Sequence, residues 1–85
     1  YEQTIRLDPN HARAYTNKGS VLTQLGRLEE ALIALEQALR LDPNDAFAYM
    51  NEAAVLGQLG RLEEGQIAFE QALRLNPNLA EQMTK

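Results

Sequence analysis

GRLEEALIALEQALRLDPN, Gly26 to Asn44, is answered by GRLEEGQIAFEQALRLNPN, Gly60 to Asn78, at an offset of 34 residues. Working outward, Ala12–Asp45 laid on Ala46–Leu79 gives roughly 23 identities in 34 aligned positions. Leu7-Asp8-Pro9 anticipates Leu41-Asp42-Pro43 and Leu75-Asn76-Pro77 at the same spacing. A fixed period of this length marks a stacked array, in which no unit can bury its own apolar face and neighbours must do it. The chain divides accordingly. Residues 1–11 read as the end of one unit plus a turn, 12–45 and 46–79 as two full units, and 80–85 as the start of a further repeat or a capping helix. Opening mid-pattern at Tyr1-Glu2-Gln3, it suggests a fragment of something longer.

Each unit reads as two helices. Ala14, Tyr15, Val21, Leu22 and Leu25 recur at three- and four-residue steps, as the buried stripe of an amphipathic helix requires. Gly26 stops that helix, because glycine takes the left-handed capping conformation without steric cost. Leu28, Ala31, Leu32, Leu35, Ala38, Leu39 and Leu41 form the stripe of the second helix. Pro43 closes it by disfavouring helical geometry in the residue before it. Asn44 or Asp45 then caps the next helix start by accepting a bond from an orphan amide. The expected helices are 12–25, 28–41, 46–59 and 62–75. Glu36–Arg40 and Glu70–Arg74 stand four apart in the favourable order, each pair worth about 0.2–0.5 kcal/mol. Nothing alternates with period two, so strand has no support.

The bulk properties narrow the function classes. Eighty-five residues make one small domain at most, with 45% hydrophobic and 24% charged side chains. A net charge of −4 argues against nucleic acid, whose phosphates call for a basic stripe. No apolar run approaches the roughly 20 residues that span a bilayer, so no membrane is expected. No targeting peptide is visible, which favours a cytoplasmic location. There is no cysteine, hence no disulfide and no thiolate for zinc.

A 34-residue helix–turn–helix carrying Tyr15, Gly19, Leu22, Ala31, Leu35 and Pro43 resembles the tetratricopeptide repeat, which pairs large and small residues at these spacings. Tyr49, Leu56, Phe69, Ala72 and Pro77 match in the second unit, so the resemblance covers essentially the whole chain. It implies an all-α fold: antiparallel helix–turn–helix repeats stacked as a right-handed superhelix. In physical terms Ala31 and Ala38 leave room for Tyr15 and Leu22 to pack between helices. Lys18 and Glu52 depart from the family's usual leucine, Ala53 from its glycine and Gly65 from its alanine. Lys18 and Glu52 either snorkel outward along their stems or face one another across the stack. Gly65 costs its helix up to about 1 kcal/mol relative to alanine.

The resemblance also implies a function. Such arrays present a concave groove, lined by the first helix of each unit, to a peptide or protein segment. Carried over by position, the groove residues are Arg13, Thr16, Asn17 and Ser20 in the first unit and Phe47, Met50, Asn51 and Ala54 in the second. Asn17 and Asn51 would hold a peptide backbone, while Phe47 with Met50 would form an apolar seat or else pack against a following helix. One variant of the groove grips a C-terminal carboxylate with two basic residues and two asparagines. Thr16 and Ser20 stand at the corresponding places, so that ligand is not implied. A structural spacer or self-association element, or a non-catalytic accessory domain of a larger enzyme, is the alternative role.

No residues assemble into a catalytic site. His11, the sole histidine, sits in the turn or helix start, more than two turns from Ser20. Glu29-Glu30 and Glu63-Glu64 are helix neighbours pointing about 100° apart, and they suit the positive end of the helix dipole instead. One histidine and no cysteine give no metal cluster, and no glycine-rich phosphate loop is present, so no cofactor is expected. Self-association is expected through the repeat ends, where Ile5 and Leu7 on one side and Leu73 and Leu75 on the other lack neighbours.

Overall fold

A computed structural model of the chain describes residues 9–79, and the expectations for Ile5, Leu7 and residues 80–85 lie outside them. Four helices follow one another: α1 (Pro9–Gln24), α2 (Leu28–Leu41), α3 (Ala46–Gln58) and α4 (Leu62–Leu75). No strand occurs among the described residues. The three later helices start where the sequence places them, but α1 starts at Pro9 rather than near Ala12. Proline lacks only an amide that the first turn leaves unbonded, and its fixed φ fits a helix start. One unit later the chain turns instead, because Asp45 caps α3 by accepting the Ala48 N–H, and the equivalent place in α1 is His11. His11 is exposed in the first turns of α1, as a helix-start residue.

The turn within each unit is built by its glycine. Gly26 and Gly60 have φ of 79° and 82°, in the left-handed region. Gly26 N–H bonds to Thr23 C=O and Arg27 N–H to Leu22 C=O, with Gly60 and Arg61 repeating both bonds to Gly57 and Leu56. This pair of bonds satisfies carbonyls that the helix end would leave open. Between units, Asp42 and Asn76 are extended ahead of Pro43 and Pro77, which ends α2 and α4 at the expected leucines.

The core crosses the boundary between units. Leu22, Ala31, Leu32 and Leu35 of the first unit form one cluster with Val55, Leu56 and Ala68 of the second. Leu35 and Val55 are fully buried, each contributing about 1.5–3 kcal/mol of apolar transfer. Three members of the expected stripe stand exposed outside it: Ala14, Val21 and Leu25, the last two at 54% and 63%. Val55, one unit beyond Val21, is buried because α2 packs on α3, and among the described residues nothing packs on α1 in that way. Periodicity finds the face. It does not say whether a neighbour covers it.

The helical ion pairs also differ from the expected ones. Neither Glu36–Arg40 nor Glu70–Arg74 forms. Arg27 instead pairs with Glu30, and Arg61 with Glu64, whose oxygens lie 2.6 and 3.1 Å from Nε and Nη2. Each glutamate at the third helical position reaches back to the arginine at the helix entry, a two-point fork that a planar guanidinium favours. These bonds hold both glutamates below the usual carboxylate range. The described chain is thus an all-helical repeat solenoid.

Candidate binding groove

Positions 13, 16, 17 and 20 are spaced so that one face of α1 carries all four side chains. The structure joins that face to Phe47 and Asn51 of α3 around an open concavity of about 500 Å3. Six of the eight expected groove residues therefore meet: Arg13, Thr16, Asn17, Ser20, Phe47 and Asn51.

Their surroundings differ. Thr16 is only 8% exposed. Its hydroxyl lies 3.1 Å from Ala12 C=O and 3.2 Å from Asp45 Oδ2, so its single proton is shared between its own helix and the next unit. Thr16 braces the groove floor. Asn17 is exposed and Asn51 half-buried, and neither side-chain amide is engaged among the described residues. Phe47 is 67% exposed, a large apolar side chain left open beside them.

Met50 and Ala54 do not join this concavity. They line a second one, of about 440 Å3, with Leu62, Gln66 and Phe69 between α3 and α4. One unit earlier the equivalent positions are Thr16, Ser20, Leu28, Leu32 and Leu35. There α3 closes over them: Thr16 bonds to Asp45, and Leu32 and Leu35 join the cluster containing Val55. Met50 thus stands at the place of Thr16, which bonds to the cap of α3 in the first unit, while Phe47 lines the groove itself.

Besides Ala12 at the start of the same helix face, two charged groove residues were missed by reading the first helices alone. Asp42 and Asp45, in the turn between units, also line the concavity. Asp45 was legible only as a helix cap. The signal that could have found both is their place at the junction of two units, where the chain crosses the groove rim.

A third concavity, of about 320 Å3, lies among α2, α3 and α4, with Glu36, Glu52, Glu64 and Arg61 around Leu32, Leu56 and Ile67. Burial, and then Glu36 and Glu64, push the Glu52 carboxyl up. Glu52 and Lys18 do not face one another; they occupy equivalent places in successive units, with Lys18 beside Glu30. No group of three histidine, aspartate or glutamate side chains suited to a metal ion occurs among the described residues. No helix among them is long and apolar enough to cross a membrane.

Comparison with known proteins adds the family. Two family models, each described as tetratricopeptide repeat, match residues 12–45 and 46–79. A search of curated proteins found no match to the chain.

Proposed function

We propose that this chain, which belongs to the tetratricopeptide repeat family, holds an extended segment of a protein partner in the concavity between α1 and α3. Repeats of this family are non-catalytic scaffolds that generally mediate contacts between proteins. The finer reading rests on one observation: Asn17 and Asn51, equivalent residues of successive units, line a single open concavity with unengaged amides. An extended segment has unpaired N–H and C=O groups along its length, and a side-chain amide serves both. Each such bond is worth about 0.5–1.5 kcal/mol net, so the pair supplies register more than affinity. Phe47 adds apolar contact. The units acting here are 12–45 and 46–79.

The test begins with peptides selected from a random display library on the full chain. Asn17→Ala with Asn51→Ala should weaken a selected peptide by about tenfold without changing helix content. Gln37→Ala with Gln71→Ala, which line other concavities and not this one, should leave it unchanged. Equal losses in both pairs would reject the groove.

A further inference from the structure

The groove carries a charge that its first-helix positions do not reveal. Asp42 and Asp45 stand on its wall with Arg13. Asp42 Oδ1 accepts the Asn44 N–H at 3.1 Å, while Asp45 accepts the Ala48 N–H and the Thr16 hydroxyl, both at 3.2 Å. All three donors are neutral. They fix the two carboxylates in place and leave both formal charges unmatched. The cations that do pair among the described residues are Arg27 and Arg61, with Glu30 and Glu64, and Arg13 pairs with neither aspartate. A carboxylate has about four acceptor positions, so both aspartates can take a further donor. The exposed Phe47 ring lines the same concavity.

We propose that the segment bound here is basic, presenting an arginine side chain to Asp42 and Asp45. This rests on the groove reading above. A guanidinium matches a carboxylate with two parallel bonds and lies well on an aromatic face, which a lysine ammonium does less completely. Its apolar stem suits contact with Phe47. Two negative charges against one positive on the wall, in a chain of net charge −4, attract a cationic segment and repel an acidic one.

The second unit shows how to remove the charge without disturbing the turn. Asn76 stands where Asp42 does, and its Oδ1 accepts the Asn78 N–H at 3.2 Å in the same way. Asparagine also caps helices about as well as aspartate, so Asp45→Asn should keep α3 intact. The peptides selected from the random library should be enriched in arginine, and their binding, read by fluorescence anisotropy, should fall as salt is raised. Asp42→Asn with Asp45→Asn should weaken a selected peptide roughly fivefold and flatten the salt dependence. Citrulline in place of the arginine should weaken wild-type binding equally and cost the double variant nothing. Acidic or uncharged peptides, lost with the asparagine variants but indifferent to the aspartate variants, would overturn the charge assignment and keep the groove. If no selected peptide depends on either pair, both readings fall.

Discussion

At Gly19 the main chain lies so close to α2 that a β-carbon would fall 2.7 Å from two side-chain atoms of the fully buried Leu35. At Gly65, on the other side of the equivalent crossing, a β-carbon would meet the Ala53 carbonyl oxygen at 3.2 Å. The first unit thus carries Gly19 opposite Ala31, and the second carries Ala53 opposite Gly65. Two departures that look separate in sequence are one exchange: each crossing holds one glycine and one alanine, in opposite order. Gly19→Ala should therefore cost about 1–3 kcal/mol in chemical denaturation, by overpacking a fixed leucine. Gly65→Ala should bring little, because about 1 kcal/mol of helix propensity is offset by crowding a carbonyl that cannot rotate away. A neutral Gly19→Ala would mean that the helices separate more easily than their contacts indicate. The sequence showed the small residues at these places, but not that they face each other.

Among elements, α3 has the most crowded position, with α2 on one side and α4 on the other. Its caps and ends were legible because local chemistry sets them: Asp45 at its start, Gly60 just past its end. The environment of Glu52 was not legible, because it is made by Glu36 of α2 and by Glu64 and Arg61 at the start of α4. Burial first, and these carboxylates second, raise its pKa in the folded state. The folded chain then binds that proton more tightly than the unfolded chain. Its contribution to stability is complete below the unfolded value, near 4.3, and is lost as pH rises through the folded value. Glu30 and Glu64 act oppositely: held low by Arg27 and Arg61, they favour the folded state above the unfolded value and lose that contribution as pH falls. Glu52→Gln should accordingly raise the thermal midpoint by roughly a few degrees at neutral pH. The gain should fade near pH 4, as followed by circular dichroism. An equal gain at both pH values would point to packing and away from charge.

At the scale of the repeat array, the described residues leave one face without the cover that the first unit receives. Leu62 is 70% exposed beside Met50 and Phe69, whereas α3 closes the equivalent face around Leu32 and Leu35. Leu75, farther along α4, is 39% exposed. Contiguous apolar surface of this kind favours association, here between copies. Sedimentation at millimolar concentration should show dimers or longer assemblies, and Leu62→Lys should return them to monomer. Monomer throughout would mean that this face is not sticky. The groove positions came from the family resemblance, whereas the two units at 12–45 and 46–79 were readable from the 34-residue period. Which of Phe47 and Met50 belonged to which face was not, since both are large apolar residues on one helix and only the neighbouring unit separates them. The seam at Leu35 and Val55 has a consequence of another kind. Because each unit supplies half of a single hydrophobic cluster, neither owns a melting point, and loosening one strips the other of its partner. Heat should reach the two units as a single cooperative event, with the backbone amides around this seam the last to exchange their hydrogens with water.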